Sequence, residues 1–159
     1  MGMAGNYVAI DSDTLQEIID NELDLLEIDP NEYPTLDIDK AWEAIHFLLC
    51  GVSFDGNPPF GYVVPMREEN ALDTEFDNGA FAITHQQVQE AYNCIKDIGE
   101  QELRAKFNIK SFVENEIYPG VVDDDENSFF EYFNEKFKLI QDFYKKAFEN
   151  NSGIVFYVM

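Results

Sequence analysis

The densest apolar pattern in the chain lies in Leu36–Gly51, LDIDKAWEAIHFLLCG, where Trp42, Ile45 and Leu49 recur at spacings of three and four with Ala41, His46 and Leu48 beside them. That period predicts a helix with a wide buried stripe, begun by an Asp39 cap, ended by Gly51 and placed at the centre of the fold. As core, Trp42 would cost about 3 to 5 kcal/mol on truncation to alanine. A longer stripe, Phe130, Phe133, Phe137, Ile140, Tyr144 and Phe148, predicts the longest helix over 127–150. Phe129, Tyr132 and Phe143 lie off that stripe, so this helix is either enclosed by other helices or offers an apolar strip to a partner.

Shorter patterns fill in the rest. The run Asn6–Ile10 predicts a first strand, followed by a helix capped at Ser12 or Asp13 and running through Leu15, Ile18 and Ile19 toward Leu23. Leu25–Thr35, with two X-Pro pairs, reads as a loop with room for one helical turn. Gly61–Pro65 reads as a short edge strand, and Met66–Gly79 as a polar surface excursion. Ala80–Ile83 predicts a strand that delivers Thr84 and Gln87 as a capping box for a helix reaching Gly99. Glu100–Phe107 and Ile109–Glu116 predict two short helices, the second capped by Asn108, and Tyr118-Pro119-Gly120 a turn. The nearly continuous apolar run Ile154–Val158 predicts a central strand buried on both faces. Together these elements predict an α+β fold. A small mixed β-sheet holds the N- and C-terminal strands, several α-helices pack on it, and residues 1–159 form one domain.

Five landmarks in series, MGMAGNYVAI, LDIDKAWEAIHFLL, FAITHQQV, EIYP and GIVFYV, resemble the YfbM-like family of small bacterial proteins, a family built on a domain of unknown function. The resemblance runs from Met1 to about Met159. It implies a single α+β domain in a bacterial cytoplasm and carries over no catalytic residue.

Charge changes the picture most. Ten basic residues face thirty-two acidic ones, a net −22, and residues 1–95 hold only Lys40 and Arg67 against nineteen acids, a net −17. Such a field repels nucleic acid and anionic membrane surfaces, and it either attracts a basic partner or serves solubility alone. No stretch is long and apolar enough to span a bilayer, and the N-terminal residues lack a signal-peptide pattern, which predicts a cytoplasmic location. Cys50 and Cys94 sit in apolar helical context, as expected of reduced, buried thiols.

Candidate chemistry is sparse. Two histidines and two cysteines at unrelated positions offer no zinc motif. The acidic run Asp123–Glu126 lacks the alternating register of a calcium loop and suits the positive end of a helix dipole. No nucleophile elbow or phosphate loop occurs, so no metal, cofactor or catalytic residue is expected. His85 falls at a helix start in solvent, whereas His46 is a structural core ring, a pocket-lining group, or a ligand or base. The expected function is a non-enzymatic domain that binds a basic protein in the manner of an inhibitor or immunity protein. The alternative is a small-molecule-binding domain or enzyme with a pocket lined by Trp42, His46 and Asp39.

Overall fold

The computed structural model describes residues 2–74, 76, 78–120 and 125–159. Met1, Glu75 and Asp77 lie outside these, as do Asp123 and Asp124 of the acidic run. Four strands form one sheet in the order β2-β1-β4-β3: β1 (Gly5–Asp11), β2 (Thr35–Asp37), β3 (Ala80–Ile83) and β4 (Ser152–Val158). Among the described residues six α-helices accompany them: α1 (Ser12–Ile19), α2 (Trp42–Cys50), α3 (His85–Ile95), α4 (Glu100–Lys106), α5 (Ile109–Glu114) and α6 (Glu126–Glu149). Every described pairing is antiparallel, so the sheet is not mixed as the sequence suggested. The chain's last strand inserts between its first and third, placing Phe156 opposite both Tyr7 and Phe81.

Side chains alternate across this sheet with the period of two that a strand imposes. Tyr7, Ala9, Phe81, Ile83, Ile154, Phe156 and Val158 point to the main core, where α2, α3 and α6 pack. Val8, Ile10, Ala80, Ala82 and Val155 point the other way and meet only Leu15, Ile18 and Leu25 as further buried partners. The cover on that second face is thin: an eight-residue α1 and the 3₁₀ turns Leu25–Glu27 and Pro30–Glu32. Gly153 lets α1 close on β4, since a Cβ there would collide with Leu15 and lie 2.9 Å from the Ile83 carbonyl.

Local signals hold where they are strong. Thr84 Oγ1 accepts from the Gln87 N–H while the Gln87 side chain accepts from the Thr84 N–H, closing the capping box of α3. Asn108 caps α5, and Gly51 ends α2 in the left-handed conformation at φ 76°. The start of α2 differs from expectation. Asp37 accepts the Asp39 N–H at 2.7 Å, Asp39 itself turns to φ 50°, and one 3₁₀ turn, Asp39–Ala41, leads into the helix with no side-chain cap. Asp11 caps α1, rather than Ser12 or Asp13, because its carboxylate reaches the N–H and hydroxyl of Thr14.

Gly61–Pro65 is not a strand. Its segment opens with the 3₁₀ turn Phe60–Tyr62 and then dives into the core, where Val63 and Val64 are fully buried. Its carbonyls are satisfied by side chains from distant elements. Tyr7 and Tyr144 both donate hydroxyls to the Val63 oxygen, at 2.6 and 2.7 Å, and His46 meets the Val64 oxygen.

Trp42 is half-buried at the edge of the core, its ring against Tyr118 and its indole N–H donating to the Met3 carbonyl. The fully enclosed aromatics among the described residues are Tyr7 and Phe156 of the sheet, Phe112 of α5, and Phe130, Phe133, Phe137 and Tyr144 of α6. Phe143, off the α6 stripe, is buried against Tyr7, while Phe129 and Tyr132 line the rim.

Candidate acidic interface

The thin cover of the second sheet face belongs to a strongly acidic stretch of the chain. Between residues 11 and 39 stand eleven carboxylates, Asp11, Asp13, Glu17, Asp20, Glu22, Asp24, Glu27, Asp29, Glu32, Asp37 and Asp39, with no lysine, arginine or histidine among them, and all eleven are exposed. Six have local work. Asp11, Asp24 and Asp29 accept backbone N–H groups that open α1 and the two 3₁₀ turns, Asp37 accepts the Asp39 N–H, Asp20 accepts from the Gln16 amide, and Asp39 accepts the Tyr132 hydroxyl. The bond to the Thr14 N–H holds the Asp11 carboxyl below its ordinary range. The other carboxylates face water, and the negative end of the α1 dipole adds to their field.

The apolar residues of this layer divide unusually. Leu25 is buried in the second core, and the next residue, Leu26, is 64% exposed. Leu26 stands between two depressions that share it. One, of about 390 Å³, is lined by Ile18, Leu23, Leu25 and Leu72 with Asp24 and Asp73 at its margin. The other, of about 210 Å³, is formed by Val8, Ile28, Phe76 and Tyr157. Phe76 and Tyr157 pack together at 5.1 Å. The arrangement is a trough of mixed character, in which apolar side chains lie beside Asn21, Asp24, Asp73 and Thr74.

Trp42, His46 and Asp39 do not converge on one pocket. His46 is fully buried. A carbonyl only accepts, so the 2.8 Å contact with the Val64 oxygen places the ring hydrogen on Nδ1, and Nε2 accepts from the Gly56 N–H at 3.1 Å. Both ring nitrogens are engaged, and burial lowers the His46 pKa, which keeps the ring neutral. Asp39 lies at the surface, where the Tyr132 hydroxyl donates to its carboxylate at 2.6 Å and lowers its pKa. It lines a separate depression with Lys40, Pro119, Ser128 and Phe129. His85 is half-buried rather than free in solvent, stacked beside Phe148.

Arg67 is the residue that sequence reasoning passed over. It is 8% exposed and donates from Nε to the Gly56 carbonyl at 3.0 Å and from Nη1 to the Asn70 side chain at 2.9 Å. Its guanidinium also lies over the Tyr62 ring. Asn70 donates in turn to the Ala82 carbonyl and to Gln87. Arg67 thereby ties the loop after α2 to β3 and the start of α3. Its one signal in the sequence is its isolation among acids.

Cys50 and Cys94 are free and half-buried. Burial pushes each thiol up to about 11, with the neighbouring Cys50 adding to the effect at Cys94. Against an ordinary value of 9.0, this leaves about a hundredfold less thiolate near neutral pH. Ellman's reagent is therefore expected to label the native protein on the order of tenfold more slowly than the urea-unfolded chain, since the rarer thiolate is also the stronger nucleophile. Equal rates would show the thiols to be open. Among the described residues, no group of three or more His, Cys, Asp or Glu side chains is placed to hold a metal ion, and no helix is long and apolar enough to cross a membrane.

The fold and this face define an α+β domain with one densely packed sheet face and one thinly covered, acidic face. The family model of the domain of unknown function DUF1877 matches residues 1–157, and the chain belongs to that family. It is 32% identical over 128 residues to protein YfbM of Escherichia coli strain K12, covering 76% of this chain and 75% of that one. The crystal structure of the protein of unknown function YfbM from Escherichia coli superposes with a TM-score of 0.75 at 27% identity, over 98% of this chain and 99% of the other.

Proposed function

We propose that the chain is a non-enzymatic binding domain that uses its acidic layer to engage a basic protein, in the manner of an inhibitor or immunity protein. One observation carries this reading: eleven exposed carboxylates and no basic residue between positions 11 and 39, most of them on the segment that covers the second sheet face. A one-sign surface of this kind steers an oppositely charged partner and raises its association rate at low salt. The neutral, doubly bonded His46 and the half-buried Trp42 give less support to the small-molecule alternative, because neither presents a free polar group to a cavity. A cytoplasmic setting accords with two free thiols.

The test uses Glu17, Glu22, Glu27 and Glu32, exposed carboxylates that make no side-chain hydrogen bond among the described residues. Changing all four to glutamine is expected to leave folding intact. It should also lower the association rate of a captured basic partner on the order of tenfold at low salt. Partners held by the wild type should release as salt rises. Capture of acidic partners, or retention indifferent to salt and to the four substitutions, would overturn the reading.

A further inference from the structure

The acidic layer is not uniformly polar, and its apolar part has a shape. Ile18, Leu23, Leu25 and Leu72 floor one depression, Ile28, Phe76 and Tyr157 the next, and Leu26 rises between them with 64% of its surface in water. An aliphatic side chain so exposed, flanked by two hollows, is apolar surface that a partner's apolar side chains would remove from water.

We infer that this trough is the contact point for a basic amphipathic segment of a partner protein, whose apolar side chains straddle Leu26 while its lysines or arginines meet the surrounding carboxylates. The inference rests on the proposed acidic-face function and adds to it the place of contact and the pattern of the partner. Charge complementarity selects the occupant. Asp24 and Asp73 line the trough, exposed Glu22, Glu27 and Asp29 flank its residues in the chain, and no base falls between residues 11 and 39, so an apolar segment without cations would be poorly matched there. A second copy of this acidic chain would bring like charge to like. The sheet beneath supports the same conclusion. Its second face has few buried residues, and Leu23, Ile28, Tyr33, Leu72, Phe76 and Tyr157 around them are only partly covered. Long basic side chains suit such a surface, since their aliphatic stems pack on apolar floor while their charged heads reach the rim.

The experiment titrates the full chain with two fluorescein-labelled fourteen-residue peptides of equal positive charge. One has leucines and lysines on opposite faces of a helix, and the other has each leucine replaced by serine. The expected result is that the leucine peptide binds at least tenfold more tightly and perturbs backbone amide NMR signals of Ile18, Leu23, Leu26 and Leu72. Leu26→Ser, which changes an exposed side chain and leaves the melting temperature unchanged, should cancel most of that advantage without altering the serine peptide's affinity. Salt-sensitive binding of both peptides with equal strength, indifferent to Leu26→Ser, would overturn the trough while sparing the acidic-face reading. Failure of both peptides to bind at low salt would overturn both. Signal changes centred on another face would move the contact away from Leu26 and refute the assignment. Self-association that Leu26→Ser abolishes would give the trough to a second copy and refute the basic occupant.

Discussion

Arg67→Ala is expected to destabilise the protein by about 3 to 5 kcal/mol, measured as a fall in the urea midpoint at unchanged slope. Removing the guanidinium leaves two buried acceptors, the Gly56 carbonyl and the Asn70 side-chain oxygen, without their donors. Each orphaned group costs about 1 to 3 kcal/mol, and the contact over Tyr62 is lost as well. The ion pair with Glu69, at 3.5 Å and with the glutamate 83% exposed, adds little to this sum because water screens it. For a chain of this size the loss corresponds to a melting temperature lower by on the order of 10 °C. Arg67→Lys should recover less than half, since one ammonium lacks the planar fork that reaches both acceptors together. A cost below about 1 kcal/mol for the alanine variant would mean that water replaces the guanidinium and that the loop is not pinned by it.

Phe133→Ala is expected to cost about 3 to 5 kcal/mol, and more than Trp42→Ala. Phe133 is fully buried, with Phe107, Phe112, Phe129 and Tyr132 around it at ring distances between 5.7 and 6.2 Å. Its removal opens a cavity bounded by rings from α5, α6 and the residue that follows α4, which cannot all relax inward. Trp42 is larger but half in water, so its truncation exposes surface instead of leaving a void, and about 1 to 3 kcal/mol is expected. Thermal unfolding of the two variants side by side decides the ranking. A larger loss at Trp42 would restore α2 as the structural centre.

That reversal marks where the linear pattern misleads. The stripe of α2 identifies a helix, and the helix is there, but periodicity says only which residues share a face. It does not say how deep the face lies. Trp42 begins α2 at the edge of the core, only partly buried, with its indole N–H on the Met3 carbonyl. The cap at Asp39 fails for a related reason. A carboxylate two residues earlier takes the open N–H, and a tyrosine ninety-three residues later takes the Asp39 carboxylate. Where the signal and its response lie within one turn, as at Thr84 and Gln87, at Asn108, or at Gly51, expectation and structure agree. The trough was only half legible. The carboxylates could be counted in the sequence, but Leu26 was one leucine in a loop, and nothing local showed that its neighbour Leu25 turns inward.

The sequence alone determined the helices of strong period, three of the four strands, and the concentration of negative charge before residue 40. Each depends on spacing, capping or composition, and these act within a few residues of chain. Tertiary structure decided the rest. It chose the antiparallel order that seats β4 between β1 and β3, and added β2, too short at three residues to show a period. It also drew Val63 and Val64 inward, because hydroxyls from Tyr7 and Tyr144 and the ring of His46 satisfy carbonyls that would otherwise need a strand partner. The same long-range bonding buried Arg67 and closed His46 to chemistry. Side chains far apart in sequence bring donors to those buried groups, and only the folded chain shows which of them meet.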